Sequence, residues 1–357
     1  MPQAESKLPR IWTRTIRPFL GRTRRSMRKL RYEAHNYLHT KIFGCSLWNE
    51  EMKILIRNSR YQQASKPPTC KSRLIVYMSE GTEFAGLADR LKTCVAAYII
   101  AAENNLSLHI YHDKGFVLQK YLLPNEIDWS ISPDDICWGL NHVSFLWFCK
   151  KVPQLRKKDK EYHAYALFHN LIPTLSPELQ KRYSFTKVFN DLFRPTPHLS
   201  QLVAAAMKSC GIQENCYVAV HLRFLSFLEP VEEHDTQATG TPEQQQAVLA
   251  AVRATIEHIY QQESHQPILL CSDSNRLFQE TYPDYVKVLP GVCGHIIKNN
   301  GNDDTTDKAF IDLFAMSKAR RLYRITGKHL YKGGYIETAA EIGGKQLINL
   351  TYEEFIS

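Results

Sequence analysis

Along this chain, short apolar runs alternate with longer segments whose apolar residues recur at helical spacing, so strands and helices are expected to take turns. Arg73-Leu74-Ile75-Val76-Tyr77-Met78 predicts a strand. Leu87 to Asn104 predicts a helix with Leu91, Val95, Tyr98 and Ile99 on one side, and Leu106 to Tyr111 a second strand. That β-loop-α-β unit opens a doubly wound domain. Residues 112–200 are less regular, rich in Trp, Phe and Pro, and are expected to hold helices near 142–150 and 176–193. Leu199 to Cys210 predicts the helix that leads into a second unit. There the pattern predicts strands at 216–220, 267–271, 286–289, 321–326 and 345–350, and helices at 247–262, 277–282, 308–319 and 334–342. Short β-branched runs that stop at polar residues fit parallel strands covered by helices on both faces.

The expected fold class is therefore α/β, with two facing Rossmann-like domains and a cleft between them. Residues 1–65 form a basic arm, ending near Ser65-Lys66-Pro67-Pro68-Thr69; 66–200 form the first domain and 201–357 the second. The polar stretches Glu232–Pro242 and Lys298–Asp307 are expected to be mobile loops and candidate lids over the cleft.

Charge changes this picture only at the amino end. The chain of 357 residues carries a net charge of +9, yet residues 1–60 hold 14 Lys/Arg against 4 Asp/Glu, and residues 61–357 hold 31 against 32. A near-neutral body argues against a nucleic-acid surface, which needs a basic face on the domain itself. Within the arm, Met27, Leu30, Ala34, Leu38 and Ile42 recur near helical spacing. Residues 10–43 suit a basic amphipathic helix on anionic lipid, a helix packed on the domain with solvated charges, or a nucleic-acid or protein contact. Nine scattered cysteines without a CxxC, no signal peptide and no long apolar stretch predict a soluble cytoplasmic protein, peripheral to the inner membrane face if the arm binds lipid.

The candidate chemistry sits where strands end, because ligands of open α/β sheets lie beyond the carboxyl ends of the strands. His221 and Arg223 follow the run Cys216–Val220, and Ser272-Asp273-Ser274 follow Pro267–Cys271. An arginine and an imidazole at one strand end, with an acid and hydroxyls at another, suit a phosphate and a ribose. Each has a plainer reading: an ion pair for Arg223, an interior histidine for His221, and for Asp273 the cap of a helix starting near Asn275. Asp312 could equally lie on an exposed helix face, and Lys328 could be surface charge. Gly81 and Gly86 permit close backbone approach to a ligand without forming a dinucleotide fingerprint. Asp134-Asp135 and Asp303-Asp304 lie in loop-like contexts without other hard ligands, and the histidines lack zinc spacing, so no metal or cofactor is expected.

Taken in order, Gly86-Leu87-Ala88-Asp89-Arg90-Leu91, the strand with His-Leu-Arg at 219–223, Ser272-Asp273-Ser274, and Asp312 followed by the strand ending at Thr326-Gly327-Lys328 resemble the fucosyltransferase superfamily. That superfamily joins the α1,2-, α1,6- and protein O-fucosyltransferases with the nodulation Z proteins, and the likeness covers about residues 70–350. It implies a glycosyltransferase-B architecture and an inverting, metal-independent transfer of fucose from GDP-fucose to a glycan or glycolipid hydroxyl, in polysaccharide biosynthesis. Arg223 would contact the donor diphosphate, His221 would lie beside the nucleotide, Asp273 near ribose or base, and Asp312 near guanine. Ser272, Gly86, Gly327 and Lys328 would complete the donor site. A base for the acceptor hydroxyl would be Glu83 or Asp89, with an Asp89–Arg90 pair fixing the loop as the alternative for Asp89. The chain departs from the family pattern where Phe224 replaces a second arginine, where Ser274 replaces a second acid, and where Gly327-Lys328 replace serines. Those departures define the alternative function, a non-catalytic nucleotide- or sugar-binding relative that scaffolds a membrane-associated complex.

Overall fold

The computed structural model describes residues 72–78, 86–139, 142–147, 149–155, 160–165, 170–230, 239–294 and 303–355. Strand β1 (Arg73–Met78) is buried along its whole length, as a strand covered on both faces must be. Helix α1 (Leu87–Glu103) follows, and β2 (Ser107–His112) returns parallel to β1, pairing Leu74 with Leu108 and Val76 with Ile110. Asn104 ends α1 and also holds residues 153–155: its side chain donates to Ile100 and Pro153 carbonyls and accepts from Leu155 N–H. A short antiparallel pair joins β3 (Leu122–Pro124) to β6 (Phe193–Pro195).

Where a helix was expected near 142–150, the chain forms β4 (Val143–Trp147), parallel to β5 (Glu161–Tyr165). The first sheet therefore runs β2-β1-β5-β4, all parallel. β5 escapes a sequence reading because Glu161 and His163 alternate with apolar residues and look exposed, although both are fully buried. Arg73 on β1 reaches Glu161 at 2.5 Å, and His163 Nε2 reaches the other oxygen at 2.6 Å. Burial opposes the Glu161 charge, but His163, Arg73 and the Cys137 N–H outweigh it and hold the carboxyl below its usual range.

The helix expected over 176–193 is two helices, α2 (Pro177–Arg182) and α3 (Phe185–Leu192). Tyr183 turns extended between them, and Ser184 caps α3 by accepting from Lys187 N–H. Helix α4 (Pro197–Ser209) carries the chain to the second sheet. That sheet consists of β7 (Val218–Leu222), β8 (Ile268–Ser272), β9 (Val286–Lys287), β10 (Arg321–Thr326) and β11 (Leu347–Thr351). Its order is β11-β10-β7-β8-β9, all parallel. Helix α5 (Pro242–Gln262) starts at a capping box between Thr241 and Gln244 and covers one face. Helices α6 (Asp303–Ser317) and α7 (Tyr335–Gly343) cover the other.

Several expectations for this half need correction. Residues 277–282 form only one tight turn (Leu277–Gln279), because Glu280 turns extended before Pro283. Asp303 and Asp304 lie in the first turn of α6 rather than in a loop, where acids suit the positive helix end. Asp303 to Asp307 of the expected lid are thus helical; residues 295–302 and 231–238 lie outside the described residues, as do the basic arm and the loop holding Glu83. Among the described residues no helix is long and apolar enough to cross a membrane.

One apolar core runs beneath both sheets, from Leu74, Val95 and Tyr121 through Phe189 and Phe310 to Ala219 and Leu322. Tyr121 stacks on Phe310 with ring centres 4.2 Å apart, and its hydroxyl donates to Asp307 at 2.6 Å. Helix α7 is the second join: Asn170 donates to Glu341, and Thr186 Oγ1 donates to the Glu341 carbonyl at 2.6 Å.

Candidate functional site

The second sheet reverses its winding beside β7: β8 and β9 are added on one side, β10 and β11 on the other. The crevice outside the carboxyl ends of β7 and β10 is therefore its topological switch point, the place where such sheets hold ligands. β7 begins two residues later than the apolar run suggests, so His221 lies inside it, paired with Cys271 on β8 and Arg324 on β10. Arg223 emerges just past the strand end.

Arg223 is held from three sides. Its guanidinium lies 5.2 Å from the Tyr331 ring centre, and its backbone carbonyl accepts from Tyr331 N–H at 2.7 Å. Its side chain packs on Gly333, where an added Cβ would come 3.0 Å from Arg223 Cδ. Asp273 stands 3.8 Å from its Nε. That acid caps no helix at Asn275. Its oxygens accept from Phe224 N–H (2.8 Å) and Leu225 N–H (3.0 Å), which holds Leu225 in the left-handed region at φ +52. Burial raises the Asp273 carboxyl against the pull of those amides and of Arg223. Ser272 supports the same turn, its Oγ 3.4 Å from Asp273 Oδ1 and accepting from Ser274 N–H at 3.2 Å.

His221 is buried, and burial together with Arg223 and Arg324 lowers its imidazole to about 3. It is neutral at any physiological pH.

Sequence reasoning missed Arg324. This buried arginine donates to Asn349 Oδ1 at 2.7 Å and to the Gly333 carbonyl at 2.9 Å, with Glu337 at 4.0 Å. It is a second guanidinium beside His221. The signal was a charge at the centre of the strand, between Tyr323 and Ile325. Also missed was Lys92 on α1. A Cβ on Gly334, at the head of α7, would come 2.5 Å from Lys92 Nζ, so this α1 lysine docks beside the residue following the Arg223 contact. Asp89 pairs with it at 3.2 Å, whereas Arg90 turns to His112 Nε2 (3.1 Å) and the Lys114 carbonyl (2.6 Å). Gly86 heads α1 with open space where a Cβ would stand.

The remaining expected residues each have a partner of their own. Asp312 is on no exposed face: it is buried against Lys308 at 2.6 Å. Burial raises its carboxyl, with Lys308 opposing. Gly327 fits tightly under Tyr352, where a Cβ would come 2.1 Å from Cε1, and Lys328 is exposed with its N–H bound to Glu353. Among the described residues no three His, Cys, Asp or Glu side chains gather as metal ligands do.

No protein-family model and no curated protein matches the chain. Solved structures similar to it include a mutant of Arabidopsis thaliana FUT1 in complex with GDP, at 14% identity and TM-score 0.46, over 90% of this chain and 77% of that one. The NodZ alpha-1,6-fucosyltransferase soaked with GDP-fucose matches at 12% and 0.46, over 76% and 92%. POFUT1 in complex with GDP matches at 9% and 0.42, over 79% and 99%. None of these likenesses transfers a residue role to this chain.

Proposed function

We propose that the chain is an inverting, metal-independent glycosyltransferase of the glycosyltransferase-B type, moving fucose from GDP-fucose to a glycan or glycolipid hydroxyl. One observation carries the reading: Arg223, Arg324 and a neutral His221 gather at the switch point of the second sheet. The ordered set of residues that resembles the fucosyltransferases supports it. In this reading residues 201–357 hold the donor and 66–200 the acceptor. Residues 10–43 rest on an anionic membrane at the cytoplasmic face.

The chemistry follows from the charge. The acceptor oxygen attacks the sugar C1 from the face opposite the diphosphate, the C1–O bond to phosphate breaks, and GDP departs carrying the electron pair. A carboxylate on the first-sheet side, Glu83 or Asp89, receives the hydroxyl proton. Negative charge grows on the diphosphate as the bond breaks. A guanidinium fixed by Tyr331, Gly333 and Asp273 stabilises that charge more in the transition state than in the ground state. Arginine suits this because it stays charged and offers a planar pair of donors. His221 donates to the nucleotide, Asp273 and Ser272 hold the turn that aims Arg223, and Asp312 lies toward guanine. Gly86 leaves room for the ligand's approach, and Gly327 and Lys328 form the stem of the loop flanking the diphosphate.

The test is a thermal-shift series with GDP, GDP-fucose, UDP-sugars and ADP-sugars. At a hundred times its dissociation constant, a ligand specific for the folded state adds about 2.7 kcal/mol. GDP and GDP-fucose are expected to raise the melting temperature and the other nucleotide sugars to leave it unchanged. No shift with the guanine nucleotides overturns the reading.

A further inference from the structure

We infer that Lys92, on helix α1, is a diphosphate-binding residue, so that the anion is held from both halves of the chain at once; this rests on the donor reading above. Lys92 is nearly buried, at 9% exposure. Burying an ammonium is unfavourable unless its donors are used, and it has three. Among the described residues its one hydrogen-bond partner is Asp89, at 3.2 Å, itself 39% exposed at the side chain.

The position adds to the cost. Lys92 Nζ is pressed against Gly334 at the head of α7, where the helix presents its own partial positive charge. Arg324 donates to the carbonyl of the preceding glycine, and Arg223 packs on that same glycine. Three cations from three different elements thus flank two consecutive glycines, and the Cβ-free backbone is what lets them approach. Acids also lie around them: Asp89 at 3.2 Å from Lys92, Asp273 at 3.8 Å from Arg223, Glu337 at 4.0 Å from Arg324, and the buried Glu341, whose charged form Lys92 favours against burial. Asp273 already accepts from two backbone amides. The three cations converge on one stretch of backbone, which is where a multivalent anion would be held. A diphosphate has the charge and the number of oxygens to meet all three.

The experiment measures affinity for GDP, inorganic pyrophosphate and guanosine in the wild-type chain and in Lys92→Met, which keeps the side-chain length and its helix preference. Gly334→Ala is the second variant. Its new methyl displaces only the flexible end of Lys92 and keeps the charge, so it carries the test if Lys92→Met does not fold. Lys92→Met is expected to weaken GDP and pyrophosphate by about ten- to a hundredfold, as loss of a charged hydrogen bond does. Gly334→Ala should lose less, and guanosine should be unaffected by either. Folded variants that bind both anions as the wild type does overturn the inference and leave the donor reading standing. Pyrophosphate binding that depends on Lys92, without preference for GDP, supports the anion site and removes the nucleotide reading. A wild-type chain that binds neither anion removes both.

Discussion

Two clusters of charge lie at opposite strand ends, and the same residue types behave differently in each. Arg73, Glu161 and His163 sit toward the amino ends of β1 and β5, with contacts of 2.5 and 2.6 Å and less than a tenth of any side chain exposed. Arg223, His221 and Asp273 sit at the carboxyl ends of β7 and β8, with the ion pair at 3.8 Å and both its members 28% exposed. The first cluster is closed, and its charges answer one another. The second is open, and its acid answers backbone amides more closely than it answers the arginine. A tight buried network holds a fold together, whereas loosely matched charge facing a crevice is suited to a ligand.

The widest test of that contrast is Glu161→Ala, which leaves Arg73 and His163 uncompensated in the interior. It should destabilise the fold by about 3–5 kcal/mol in denaturant melts, while whatever remains folded binds GDP normally. Arg223→Ala should do the reverse, lowering donor turnover by about 10²–10³-fold with the melting temperature near wild type. Equal losses of stability from both changes would erase the distinction.

A smaller effect comes from the join between the sheets. Burial, with Glu337 adding to it and Lys92 opposing, raises the Glu341 carboxyl to about 7, and its Oε2 is buried with no hydrogen-bond partner. A raised acid favours the folded state while protonated, and that contribution disappears as pH rises from the unfolded value near 4.5 through about 7. Glu341→Gln should therefore stabilise by about 1–2 kcal/mol at pH 8, with the gain vanishing near pH 4.5. Histidine runs the other way. His221 and His112 are both lowered to about 3, so stability should fall as pH drops below about 6.5, where only the unfolded chain takes up those protons. The least effect is expected of Lys328→Ala, exposed and tied to the chain by its backbone: under about 0.5 kcal/mol in a melt.

How much of this could be read from the sequence depends on where pattern and burial agree. β1, α1 and β10 were legible because apolar residues fill most of their buried positions. β5 was not, since the interior ion triad places polar letters inside a buried strand. At the site, Arg223 and His221 stood out because they follow an apolar run. Arg324 and Lys92 did not, because their role depends on which elements meet at Gly333 and Gly334, and that is a property of tertiary packing. Asp273 looked like a helix cap because Asp before a helical stretch usually is one. Its real partners are amides 49 and 48 residues away.

The interior shared by the two sheets carries a mechanical consequence. A chain severed near the end of α4 would strip Tyr121 of its stacking ring and leave bare apolar faces on both fragments, so neither half should fold alone. The intact molecule should instead melt in a single cooperative step. Rigid rocking of one half against the other would have to tear that seam.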